Sequence, residues 1–172
     1  MTMPERRARR RPGQNRERLL EAGLIEFGLF GYHGAVTAAI AQRADVPQPH
    51  VYANFTGKQE LFLACLAVAS ERLHAVYRDL FPAGPELEAP SGGSSGVTGP
   101  PSSSPEQVKQ ADASDSEDFT FATLLLFQAV AVARDPELGA AVRPAIEYLR
   151  SLLGEDAFRR VIAAAAASLS EF

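Results

Sequence analysis

Apolar residues recur at three- and four-residue spacing along most of this chain, and the places where that period stops mark its organisation. Leu20, Gly23, Leu24 and Phe27 fall at i, i+3, i+4 and i+7, which predicts a helix from about Asn15 to Phe30 with Gly31 as a left-handed stop. Thr37 is the expected N-cap of a second, short helix. Ile40, Ala41 and Ala44 form its inner face, Val46 is the buried residue after a tight turn, and Val51 and Phe55 face the same core from a third helix. A longer helix is predicted from Lys58 to about Phe81, with Leu61, Phe62, Cys65, Leu66, Ala69 and Leu73 as its buried stripe. At 1.5 Å per residue it would be ~35 Å long.

The period then fails. Between Pro82 and Pro105, seventeen of twenty-four residues are Gly, Pro or Ser, and Glu106 to Asp118 is acidic and polar. Such a stretch buries too little apolar area to offset its ordering entropy, so residues 82–118 read as a disordered linker. Phe119 to Val130 is apolar nearly all round and predicts a central buried helix. Asp135-Pro136-Glu137 is a helix start, with Asp as N-cap and Pro in the first turn. The next helix turns Leu138, Val142, Ile146, Leu149 and Leu153 inward; Pro144 should kink or break it near Ala140, and Gly154 should end it. Ala157 to Leu169 reads as a final alanine-rich helix. No internal repeat is visible. The fold class is all-α.

Two short helices joined by a tight turn form a helix-turn-helix, whose second helix enters a major groove while the first lies across the backbone. Gln48, His50, Tyr52 and Asn54 occupy the outward side of that second helix, and each can hydrogen-bond to DNA. Arg43 on the preceding helix and Lys58 after the motif add positive charge. Upstream stands Arg6-Arg7-Ala8-Arg9-Arg10-Arg11. In isolation such a run is a solvated tail. Directly before a helix-turn-helix, Arg9, Arg10 and Arg11 can also lie along phosphates or in a narrow minor groove, gaining affinity by counterion release.

Composition agrees with that division. Residues 1–60 hold nine Lys or Arg against six Asp or Glu, while the remainder holds eight against fifteen. A basic end on an acidic body suits a DNA-binding head carried by a solubilising domain. No apolar run reaches bilayer length, and no apolar segment follows the basic start as a signal peptide would require. The single cysteine, Cys65, sits among Leu61, Leu66 and Val68, which favours a buried structural thiol over a redox sensor and fits a reducing cytoplasm. Three histidines, His33, His50 and His74, lack metal-ligand spacing, and no phosphate loop or nucleophile elbow is present. The expectation is a cytoplasmic non-enzyme without metal or cofactor.

Tyr52, Phe55 and Lys58 at their mutual spacing, with Leu19-Leu20-Glu21-Ala22-Gly23-Leu24-Ile25-Glu26-Phe27 and Gly31-Tyr32 upstream, resemble the amino-terminal domain of TetR-family transcriptional regulators. The resemblance covers roughly residues 15–70. It implies a homodimeric, all-helical repressor that binds a palindromic operator in double-stranded DNA and senses a small apolar or amphipathic effector. The implied layout is a basic arm at 1–14, a three-helix DNA-binding head at 15–57, and a shortened helical body at 58–172 for ligand binding and dimerisation, interrupted by the linker.

The sequence departs from the family in four places. Glu26 replaces an apolar residue. The hydroxyl residue near the start of helix two falls one position late, at Thr37, where it would cap and touch phosphate. Pro47 and Pro49 replace serine and a small residue, removing two backbone donors and biasing Gln48 away from helical geometry. The linker lies where the family has helices that close a ligand cavity.

Phe62, Leu66, Tyr77, Phe121, Leu125 and Phe127 are candidates for a ligand pocket; residue by residue they also read as ordinary core. Val142, Leu149, Leu153, Val161 and Ala165 are candidates for a two-fold interface made by the last two helices. About fifty residues follow the linker, few for both a core and a cavity. An alternative reading is a regulator-like protein whose DNA reading is degraded and which works through protein contacts.

Overall fold

The computed structural model describes residues 13–80 and 113–169. The arginine run and the whole Gly/Pro/Ser-rich stretch lie outside them. Within the described residues every regular element is helical: α1 (Gln14–Gly34), α2 (Thr37–Arg43), α3 (Pro49–Asn54), α4 (Lys58–Leu80), α5 (Ala113–Ala131), α6 (Gly139–Leu153) and α7 (Glu155–Leu169), with one 3-10 turn (Val132–Arg134) after α5.

One apolar core runs through all of it. Leu19, Leu24 and Phe27 of α1 meet Ile40, Val51 and Phe55 from the helix-turn-helix, then Leu61, Phe62, Leu66 and Leu73 of α4, then Leu125 and Leu126 of α5. Phe27 and Phe62 pack edge to face with ring centroids 5.1 Å apart. Gly28 lets α1 and α5 approach closely, since a Cβ there would stand 3.3 Å from Leu124 Cβ and 3.4 Å from the Phe121 carbonyl oxygen. The predicted stripe of α4 is buried throughout, Cys65 included. Burial pushes the Cys65 thiol far above its ordinary pKa, so it stays protonated and unreactive.

Three boundaries differ from the sequence reading. Helix α5 starts at Ala113, so residues 113–118 belong to a helix and not to the linker. Asp115, Glu117 and Asp118 fall in its first two turns, where carboxylates favour a helix start; their polarity reads as loop in composition alone. Helix α6 passes through Pro144 without a break. The proline deprives only the Ala140 carbonyl of its partner, and both residues are exposed, so water can serve that oxygen. Asp135 caps as expected, with Oδ1 accepting the amides of Glu137 at 2.8 Å and Leu138 at 3.0 Å, but a turn intervenes before the regular helix. Gly154 stops α6 with φ 76°.

The faces expected at a two-fold interface are filled within one chain. Val142, Leu149, Leu153 and Ala165 are buried in the chain's own core, and Val161 is half-buried against it. Helices α6 and α7 turn these residues onto α4 and α5, because a short body needs every large aliphatic residue to close its own core.

Glu26, the charge on the inner face of α1, is only 6% exposed. Arg43 at the end of α2 answers it: Nε and Nη2 donate to Glu26 Oε1 at 2.9 and 2.7 Å. Removing one partner leaves a desolvated charge, whereas replacing both leaves apolar packing. Arg43→Ala should therefore cost about 1–3 kcal/mol, discounted for the partial exposure of the guanidinium. Adding Glu26→Leu should recover most of it. Urea unfolding of the two variants checks this; an equally unstable double variant would show that the pair contributes more than charge satisfaction.

Candidate nucleic-acid interface

The turn between α2 and α3 is closed by backbone bonds from Asp45 N to Gln42 O (3.0 Å) and from Val46 N to Ala41 O (3.0 Å). Asp45 takes φ 50°, a conformation that Asp tolerates better than most residues. Arg18 of α1 lies 3.5 Å from its carboxylate. Val46 then drops into the core and the chain re-enters a helix at the prolines. The amides of His50 and Val51 bond back to Pro47 O (2.8 Å) and Gln48 O (3.0 Å).

Gln48 is helical, with φ −52° and ψ −36°, against the bias expected before a proline. Those two backbone bonds and the burial of Val51 at 1% exposure hold the turn. Both prolines sit where a helix amide has no internal partner, so α3 survives them.

The outward face of α3 presents Gln48, Pro49, His50, Tyr52 and Ala53, all exposed. Several of these side chains are held. Asn15 Nδ2 lies 3.2 Å from His50 Nδ1. The Tyr52 hydroxyl lies 3.3 Å from Thr37 Oγ1, which ties α3 to the start of α2. Thr37 is not the cap of α2. The extended residue before it, Val36, holds that position without a side-chain bond, and Thr37 is the first helical residue. Asn54 turns back on its own helix, donating from Nδ2 to the His50 carbonyl at 2.7 Å.

Lys58 leans toward the end of α1. Its Nζ is 4.8 Å from the Tyr32 ring centroid and 3.5 Å from the His33 carbonyl oxygen, and burial lowers its pKa. Arg43 is held by Glu26, as described above. The Arg9, Arg10 and Arg11 arm lies outside the described residues.

Behind this surface is a junction that sequence reasoning did not find. Gly31 interrupts α1 with φ 69° and ψ 178°, and the bend delivers Tyr32 and His33 to the body. Tyr32 packs on Phe62 with ring centroids 5.3 Å apart. Its pKa is raised by burial and by the charges of Glu137 and Asp135. His33 Nε2 stands 3.3 Å from Asp135 Oδ2, and Gln128 Nε2 donates to the Gly28 carbonyl at 3.3 Å. The stop at Gly31 was the available signal, but its partners lie about a hundred residues on.

In the body, Phe62, Leu66 and Leu125 are sealed into the core, and Phe121 and Phe127 are half-buried. Tyr77 alone of the six expected pocket residues borders the apolar cleft between α4, α5 and α7, about 140 Å³ in volume, which Leu73, Val76, Phe119 and Val161 also line. Among the described residues no group of three His, Cys, Asp or Glu side chains could hold a metal ion, and no helix is long and apolar enough to cross a membrane.

A helix-turn-helix with a polar outward helix, fixed to a helical body, defines a DNA-binding transcriptional regulator. Over residues 19–65 the chain matches the family of bacterial regulatory proteins described as the tetR family. It is similar in fold to several solved structures. A TetR-like transcriptional regulator from Rhodococcus sp. RHA1 is 18% identical, covering 94% of this chain and 84% of that one, at a TM-score of 0.47. A TetR-family regulator from Shewanella sp. PV-4 is 20% identical, over 91% and 86%, at 0.42. The fatty acid degradation regulator FadR from Bacillus halodurans is 14% identical, over 84% of this chain, at 0.41; this chain spans 63% of its length. The likeness to the tetR family is carried by residues 19–65. No curated protein matches the chain.

The junction has a pH signature. Backbone amides of Leu138 and Glu137, with His33 beside them, hold the Asp135 carboxyl below its ordinary pKa. A carboxyl lowered by folding adds stability above its unfolded pKa and loses it as pH falls through the folded value. Asp135→Asn should therefore be less stable than the parent at neutral pH. The gap should close as pH drops through and below the ordinary carboxylate range. Paired thermal melts across that window test it; a gap independent of pH would place the effect outside this carboxylate.

Proposed function

We propose that this chain is a cytoplasmic repressor that binds a palindromic operator as a homodimer and is released by a small molecule held in its body. Residues 15–57 are the DNA-reading head and 58–172 the regulatory body, with 1–14 as an arm along the phosphates. The observation that carries this reading is the outward face of α3, where exposed Gln48 and His50 flank a hydroxyl pair made by Tyr52 and Thr37. Gln48 and His50 reach base edges, since their donors and acceptors match the major-groove pattern. Tyr52, Thr37 and Lys58 hold phosphates and fix the register. The cleft between α4, α5 and α7 takes the effector.

A second reading has one observation in its favour. Helix α3 is six residues long, begins with Pro49, and turns Asn54 onto its own backbone, which leaves few groups for bases. In that case the chain acts mainly through protein contacts. A gel shift with DNA from upstream of its own coding sequence separates the two, since only the first reading expects a retarded band.

Selection of binding sites from random DNA assigns the roles. Gln48→Ala or His50→Ala should change the preferred sequence, at ~1–3 kcal/mol per good base contact. Lys58→Ala should weaken all sequences alike and lower the salt slope by about one. A changed preference with unchanged salt dependence in Lys58→Ala would overturn its phosphate role.

One α3 contacts too few bases for useful specificity, so two must be presented about one DNA turn apart, ~34 Å. Light scattering at micromolar protein should give twice the chain mass of 18.5 kDa; a monomer would refute the dimer.

A further inference from the structure

The cleft between α4, α5 and α7 has a chemical bias. Its inner part is walled by Leu73, Val76, Phe119 and Val161. Past Phe119 and Val161 it opens into a second hollow of about 270 Å³ that reaches Thr120, Thr123 and Ser168. Arg160 borders both hollows and is the only charged side chain among their described lining residues.

Its neighbours are engaged: Arg159 pairs with Glu155 at 3.1 Å and Arg150 reaches the same carboxylate at 3.5 Å. Among the described residues no hydrogen bond or ion pair occupies the Arg160 guanidinium. Two nearby hydroxyls are already committed as donors. Thr123 donates its proton to the Thr120 carbonyl at 2.7 Å, and Ser168 donates to the Ala164 carbonyl at 3.1 Å.

An apolar slot with one uncommitted guanidinium selects by exclusion as well as attraction. A cation would meet Arg160 with no carboxylate among the described lining residues to offset it. A polyol would find the Thr123 and Ser168 protons already used and its own hydroxyls desolvated against the apolar wall. A dianion would have one charge answered and the other left over. An apolar body ending in a single carboxylate satisfies every group, with its tail against Val76 and Phe119 and its head in a charge-assisted fork with Arg160.

We infer that this cleft binds an amphipathic monoanion, a carboxylate with an apolar body, and that Arg160 determines that choice. The inference rests on the proposal that the body carries the effector site. Octanoate, octylammonium and octanol serve as probes of equal length and different charge. Calorimetric titration of the full chain at fixed ionic strength should show octanoate binding at least about tenfold tighter than octylammonium, with octanol between them.

Arg160→Gln should erase the preference and Arg160→Glu should reverse it. Both changes lie on an exposed position, and unchanged circular dichroism and thermal midpoint confirm the fold. Val161→Trp should fill the slot and weaken all three probes. Equal binding of octanoate and octylammonium, or undiminished octanoate binding by Arg160→Gln, overturns the inference, as does failure of all three probes to bind. Operator release is measured in parallel. Octanoate binding without release would refute the effector role while leaving the ligand class standing.

Discussion

Helix α1 serves two structures at once, and the rest of the molecule depends on that sharing. One side receives α2 and α3; the other meets α4 and α5, with Gly28 lying against Leu124. A helix buried on several sides cannot tilt against one neighbour without disturbing the other, because packed interiors deform little. The orientation of α3 is therefore tied to the body through α1, and the tie is reinforced at its end by Tyr32, His33 and the Gly28 carbonyl. Helix α4 is the second tie. It begins at Lys58 beneath α1 and reaches the cleft at Val76 and Tyr77, a span of roughly 27 Å at 1.5 Å per residue. Any occupant of the cleft that shifts α4 must move a helix already keyed into the head.

Polar groups at the head are arranged economically. Ion pairs join separate elements there: buried Glu26 with Arg43, and the more exposed Glu21 with Arg72 and Asp45 with Arg18. Even the outward helix is braced, by Asn15 on His50 and by Thr37 on Tyr52. Side chains already placed lose less freedom on meeting a partner, which favours binding by lowering its ordering cost. The same bracing makes the surface less adaptable than a row of free side chains.

Much of this was legible in the sequence because a three- to four-residue period reports directly which face of a helix is buried. Val51 with Phe55, the stripe from Leu61 to Leu73, the Asp135 cap and the Gly154 stop all follow from local rules. What was not legible depends on partners far along the chain. Periodicity places Val142 and Leu149 inward, but it does not say whether the surface they meet is their own core or a second copy. Phe62 and Leu125 look alike whether they line a pocket or fill a core, and the core has them. Arg43 reads as an exposed cation until Glu26, seventeen positions earlier, is seen to hold it. Composition misled at residues 113–118, where acidic and small residues describe a helix start as well as a linker.

The prolines of α3 show how a local departure can be absorbed. Pro47 and Pro49 remove two amides from the end of the helix that would face a phosphate, and a six-residue helix has little dipole to replace them. The backbone therefore offers little to DNA here, and recognition must come from side chains and from charge elsewhere. On the proposed reading, that shifts the burden to Gln48, His50 and the Thr37–Tyr52 pair, and makes rigid placement of α3 more important than in a head whose backbone also binds. Val51 and Phe55, at 1% and 2% exposure, supply that rigidity from within, and Arg16 over the Phe55 ring at 5.1 Å adds to it from outside. A recognition helix that is short and poor in amides can still be positioned well, provided that its apolar side is locked to the helix that also anchors the body.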